Sequence, residues 1–129
     1  MSKPLRIAMM GYGFMGKAHS NAYKKVSQFF PELGYKPELQ VLCARDAEKA
    51  SEFAKTWGYA DVETDWRKVV ERDDVDVIDI CSPNHTHLEL ALAAAKNGKW
   101  VLCEKPLAMN VAEAEEMAAA VEEAGVPNM

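Results

Sequence analysis

The chain has 129 residues, 49% of them hydrophobic and 27% charged, with a formal net charge of -5. That length suffices for one domain with its own core, and the acidic balance argues against the basic patch that a nucleic-acid or anionic-membrane surface needs. No apolar run approaches the ~20 residues of a membrane span, and Lys3, Pro4 and Arg6 interrupt any leader-like start, so the expected setting is the cytoplasm.

The first apolar run, Leu5–Met10, reads as a buried strand. It feeds the stretch GYGFMG, in which Gly11, Gly13 and Gly16 stand in the pattern G-x-G-x-x-G. Strand before and helix after are the context this pattern needs to hold a pyrophosphate. Gly11 permits the turn off the strand, Gly13 lets the backbone approach a phosphate, and Gly16 lets helix and strand pack closely. The helix start, Phe14 and Met15, then offers free N–H groups and a positive dipole end. A dinucleotide is the expected ligand; an S-adenosylmethionine or flavin site on a similar sheet is the alternative. The helix itself is expected to bury Met15, Ala18, Ala22, Val26 and Phe29, which recur at helical spacing. The segment FFPELGYKPEL, with two prolines and a glycine, reads as a long loop.

A second strand spans Leu39–Ala44. In NAD binders an acid at its end bonds the ribose 2′-hydroxyl. Here Ala44 falls at that position and Arg45 follows, an arrangement with room and charge for a 2′-phosphate. The cofactor is NAD or NADP, with a lean to NADP. Asp46 reads as the cap of the next helix, whose apolar face is Ala50, Phe53, Ala54 and Trp57, and Asp65 caps a further one. A weaker strand sits near Tyr59–Val62, and stronger ones at Val75–Cys81 and Lys99–Cys103. A helix after the fourth strand runs into Gly98, a C-terminal glycine. Asn110 and Glu113 stand at capping-box spacing before a last helix that Gly125 ends. Strand and helix alternate throughout, which predicts an α/β fold: a doubly wound, mainly parallel sheet with helices on both faces. Cys43, Cys81 and Cys103 each close an apolar run and read as buried core thiols; their spacing fits no zinc signature.

Polar clusters follow strands four and five, where open α/β sheets bind ligands. In SPNHTHLE, Asn84 can cap the next helix, while His85 and His87, taken alone, read as solvent-exposed first-turn residues. Their i, i+2 spacing does not suit a shared metal, and no metal site is expected. In CEKPLAMN, Pro106 holds Lys105 extended. Lys105 is either a proton-transfer group beside a nicotinamide or an exposed lysine paired with Glu104.

Taken together, GYGFMGKAHSNAY, SPNHTHLELALAAAKNGKWVLCEKPLA and AEEM resemble the N-terminal half of the Gfo/Idh/MocA oxidoreductases over essentially the whole chain. The resemblance implies that Gly11, Gly13 and Gly16, with Phe14 and Met15, form the phosphate loop. It implies that Ser82, Pro83, Asn84 and His87 lie along the cofactor, the last three near the nicotinamide-side ribose. It implies that Glu104 contacts the cofactor, that Lys105 faces the nicotinamide and substrate and is catalytic in proton transfer, and that His87 rather than His85 is functional. The reaction implied is hydride transfer between a nicotinamide cofactor and a secondary alcohol of a sugar, cyclitol or related compound. The chain 1–129 is expected to be the dinucleotide-binding domain alone. It ends at GVPNM, where a doubly wound fold would place another strand, so the last strand and a substrate domain are expected to be missing. The open sheet edge would then favour self-association into a homo-oligomer. Such a chain is expected to bind cofactor without turnover; a non-enzymatic nucleotide-sensing module is the alternative.

Overall fold

The computed structural model describes residues 2–129. Five parallel strands form one sheet in the order β3-β2-β1-β4-β5: β1 (Lys3–Met10), β2 (Tyr35–Cys43), β3 (Asp61–Glu63), β4 (Val77–Ile80) and β5 (Trp100–Cys103). The helices are α1 (Phe14–Phe29), α2 (Ala47–Trp57), α3 (Trp66–Val70), α4 (His87–Lys96) and α5 (Val111–Ala124). Right-handed crossovers from β1 to each side of the sheet leave α1 and α2 on one face and α3, α4 and α5 on the other. This is the doubly wound arrangement the alternation predicts.

Side-chain alternation divides the core. Ala8, Met10, Ile78 and Ile80 pack with Leu90, Ala94 and Met117 below the α3–α5 layer. Met9 and Leu42 pack with Ala50, Phe53 and Ala54 under α2. Burying each large aliphatic group contributes about 1.5–3 kcal/mol. Four of the expected helix boundaries hold for the expected reason. Asp46 accepts from the Lys49 N–H at 3.0 Å and Asp65 from the Arg67 N–H at 3.0 Å. Asn110 accepts from the Glu113 N–H at 2.9 Å, and Gly125 adopts the left-handed conformation at φ 66°. Glu113 reaches back to the Met109 N–H rather than to the cap residue. The Asn84 cap does not form. A 3₁₀ turn over Asn84–Thr86 starts the segment, and Thr86 Oγ1 donates to the Pro83 carbonyl at 2.6 Å.

Two expectations about elements fail. The expected long loop after α1 is half strand, since β2 begins at Tyr35 and pairs with β1 through Pro37. Proline is tolerated because β3 pairs with β2 only at Val41–Cys43, which leaves Pro37 a free edge on its other side. The face of α1 is also rotated. Gly16 and Ser20 are buried, while Met15 and Ala22 are exposed and Phe29 is 73% exposed. A Cβ on Gly16 would lie 2.8 Å from the Gly11 carbonyl oxygen. The glycine therefore has to face the strand, and that contact, not apolarity, sets the helix phase. Residues 127–129 lie at the place where the further strand is expected and form only an isolated bridge. Val101 donates to the Pro127 carbonyl and Met129 to the Val101 carbonyl, a parallel bridge along the outer edge of β5.

Candidate functional site

The glycine loop leaves β1 at its carboxyl end. Gly11 has φ 104°, which L side chains rarely adopt, and a Cβ there would lie 3.0 Å from the Cys81 carbonyl oxygen. Its N–H donates to the Cys43 carbonyl at 2.9 Å, so the loop is tied to the end of β2. Gly13 precedes α1 with no side chain capping the helix, and the first turn carries no acidic residue. The N–H groups at the start of α1 thus meet no internal anion, and the dipole there is positive. A Cβ on Gly13 would touch nothing within 4 Å. Phe14 is 80% exposed and Met15 is exposed. Neither side chain lines the adjoining cleft, so what these two positions offer is backbone.

That cleft, of about 990 Å³, opens over the carboxyl ends of β1, β2 and β4. Of the expected residues, Gly11, Gly13, Arg45, Ser82 and Pro83 line it. Gly16, Asn84, Glu104 and Lys105 do not. Ala44, Thr64, Trp66, His85 and Thr86 are among its other walls. The Arg67 guanidinium lies 4.6 Å over the Trp66 ring and holds the indole in place. Among the described residues Arg45 makes no ion pair. Asp46, beside it, is committed to capping α2.

The two histidines part company: His85 is exposed, as expected, while His87 is buried. His85, expected to be the idle one, is exposed and lines the cleft. His87 is 1% exposed and faces inward. Its Nε2 lies 2.9 Å from the Ser82 carbonyl oxygen, and its Nδ1 lies 3.1 Å from those of Pro106 and Leu107. His87 therefore ties the loop after β4 to the loop after β5. The cause is the 3₁₀ turn, which changes the phase between the strand and α4. Asn84 is half-buried beside it.

Glu104 does not pair with the Lys105 ammonium. Its carboxylate accepts from His19 Nε2 at 2.8 Å and from the Lys105 N–H at 3.1 Å. Lys105 is exposed, and the Lys105–Pro106 peptide is cis. The other ring nitrogen of His19 donates to Asp79 at 2.8 Å. Asp79 is fully buried in β4 between Ile78 and Ile80, on the α1 face of the sheet, and also accepts from the Tyr23 hydroxyl at 2.7 Å. The expectation of an apolar run at Val75–Cys81 passed over this carboxylate. Two signals marked it: an aspartate inside VIDI, and His19 and Tyr23 four apart on one helix face. The Cys81 Sγ, Asp79 and His19 Nδ1 lie within 4.8 Å of one another, a spacing that could hold a metal ion. Among the described residues no buried side-chain nitrogen or oxygen lacks a partner, so the cluster closes on itself.

The hydrogen bond to Asp79 lifts His19 from its ordinary 6.5 to about 9, against the opposing effect of burial. Burial alone would raise Glu104, but His19 and the Lys105 N–H outweigh it and lower that carboxyl. Burial, then the charge of Asp79, pushes the Cys81 thiol up, and burial takes Cys43 up to about 12. All three cysteines are free; Cys43 is buried as expected, and Cys81 and Cys103 are half-buried. Because His19 is more basic folded than unfolded, its contribution is complete below pH 6.5. It is lost as pH rises through about 9. The His19 side chain is 20% exposed, and the full rise is worth about 3 kcal/mol. Urea unfolding at pH 6 and pH 9.5 is expected to differ by that order, and the H19Q variant is expected to lose the difference.

A parallel sheet with an uncapped helix N-terminus at the carboxyl end of its first strand, over an open cleft, defines a nucleotide-binding α/β domain. The chain belongs to the Gfo/Idh/MocA oxidoreductase family, with its NAD-binding Rossmann fold; the family model matches residues 5–129. The chain is 40% identical over 125 residues to levoglucosan dehydrogenase of Pseudarthrobacter phenanthrenivorans, covering 97% of this chain and 32% of that protein. It is 40% identical over 89 residues to scyllo-inositol 2-dehydrogenase (NADP(+)) of Bacillus subtilis, covering 69% of this chain and 27% of that one. The crystal structure of an NAD binding oxidoreductase from Klebsiella pneumoniae superposes with a TM-score of 0.94 at 45% identity, over 98% of this chain and 34% of that one. Levoglucosan dehydrogenase in complex with NADH and levoglucosan gives 0.93 at 38% identity, over 98% and 35%. The chain therefore spans about a third of the length of these relatives.

Proposed function

We infer that the cleft holds a nicotinamide dinucleotide and that the protein is the cofactor-binding part of a dehydrogenase acting on a sugar, a cyclitol or a related polyol. The observation that carries this reading is the bare start of α1 at Gly13, which faces the cleft with neither a side-chain cap nor an acidic first turn. The N–H groups there would receive the pyrophosphate. Trp66, stiffened by Arg67, would form an apolar wall for the adenosine end. When bound, the cofactor takes or gives a hydride at its nicotinamide ring. Lys105, exposed at the end of β5, would move the hydroxyl proton of the substrate through Nζ. His87 would hold the loops that carry Ser82 and Lys105 together. The polyol class rests on the relatives named above, which are dehydrogenases of levoglucosan and scyllo-inositol.

At the ribose, Arg45 is the uncommitted cation beside Ala44, and Asp46 is engaged as a cap. This favours NADPH, whose 2′-phosphate Arg45 would pair. Titration by cofactor fluorescence is expected to show tighter binding of NADPH than NADH. Arg45→Ala is expected to weaken NADPH by about tenfold and leave NADH within about twofold. Tighter NADH binding in the unaltered protein would overturn the assignment to Arg45. No binding of either cofactor by folded protein would overturn the reading as a whole.

A further inference from the structure

The bridge from Asp79 through His19 to Glu104 lies outside the lining of the cleft, yet it ends one residue from Lys105. We propose that His19 is a positioning residue for Lys105: it links the buried carboxylate of β4 to Glu104 and thereby fixes the place where Lys105 leaves the sheet. The proposal rests on the reading of Lys105 as the proton-transfer group.

The geometry is closed on both sides. Asp79 accepts from His19 Nδ1 at 2.8 Å, and Glu104 accepts from His19 Nε2 at 2.8 Å. Ionised carboxylates only accept, so two of them facing the two ring nitrogens require both N–H groups. The ring is thus an imidazolium, consistent with the rise its partners cause. The other groups against it are Cys81 Sγ, at 3.4 Å, and the Tyr23 hydroxyl, which shares Asp79. Glu104 spends its second oxygen on the Lys105 N–H at 3.1 Å, and the Glu104 N–H donates to the Ile80 carbonyl at 2.9 Å. Lys105 therefore begins from a backbone fixed by a side chain that α1 itself holds. Because α1 also presents the glycine loop, one helix sets the phosphate-binding end and the lysine in a single frame. A neutral ring would have one N–H for two carboxylates, and one of the two links would open.

The test is carbon-13 NMR of the protein labelled at lysine Cε, each sample measured without and then with saturating NAD+. Lys105→Met assigns the Lys105 signal. In the unaltered protein, adding NAD+ is expected to shift that signal, and nitrogen-15 spectra at pH 7 are expected to show both His19 ring N–H groups. In His19→Gln the NAD+-dependent shift of Lys105 is expected to fall at least threefold. Should that variant fail to fold, Glu104→Gln, which leaves the His19–Asp79 pair in place, is expected to show the same loss. An unchanged Lys105 response in a folded variant overturns the proposal, as does a neutral His19 at pH 7. If Lys105 in the unaltered protein ignores saturating NAD+, the assignment of Lys105 to the reaction fails instead. A general loss of packing would broaden every lysine signal alike, whereas the positioning role moves Lys105 alone.

Discussion

Gly13→Asp is expected to fold as well as the unaltered protein and to bind NADH and NADPH at least 100-fold more weakly. The two halves of this result come from one place. Gly13 sits at φ -72° and ψ -169°, a backbone that any residue adopts, and its Cβ would meet nothing within 4 Å. Aspartate is also among the better residues at a helix N-cap, so stability should hold or rise by a few tenths of a kcal/mol, about the size of the Gly-to-Asp difference there. The new carboxylate would take the N–H groups that a pyrophosphate needs and would repel its charge. A 100-fold loss corresponds to about 3 kcal/mol. The comparison is Gly16→Ala, where the added Cβ would press on the Gly11 carbonyl at 2.8 Å and damage fold and loop together. Fluorescence titration and urea unfolding on the same samples separate the two cases. Wild-type affinity in Gly13→Asp would mean that the glycine loop holds no phosphate.

Asp79→Ala is expected to destabilise the fold by about 3–5 kcal/mol, the range for removing one member of a buried charged pair. Three groups lose their acceptor at once: His19, Tyr23 and the Cys81 thiol. The His19 charge would then stand against a methyl group, with Glu104 alone to answer it. Asp79→Asn keeps the volume and one acceptor oxygen, so its loss should be smaller, and it should bring the His19 titration down from about 9. Urea midpoints at pH 7 for the three proteins test the order. A change below about 1 kcal/mol for Asp79→Ala would show that α1 is held by its apolar contacts instead.

Much of this molecule is legible in the sequence. The strand–glycine loop–helix unit is readable because each glycine answers a separate steric demand. The caps at Asp46, Asp65 and Asn110 are readable because they are local, with donor and acceptor within three residues. What escaped is non-local. The phase of α1 depends on Gly16 touching Gly11 across a turn, so its apolar repeat points outward and misleads. Asp79 looks out of place in VIDI until His19, 60 residues away, is brought beside it. His87 is buried and His85 exposed on either side of a single 3₁₀ turn, and three residues of 3₁₀ leave no periodic trace. Pro37 sits in a strand because its neighbour on one side is absent, and only the sheet order reveals which strand has a free side.

The packing of Gly16 on Gly11 bears on how the cofactor would come and go. That contact and the Gly11 N–H bond to the Cys43 carbonyl are made within the protein, so the loop is already shaped before any phosphate arrives. Binding to such a loop needs no closing step, and encounter would be limited by diffusion and orientation rather than by rearrangement. Affinity would then be written almost entirely in the dissociation rate. Changes at Trp66 would alter how long the cofactor stays, not how fast it enters.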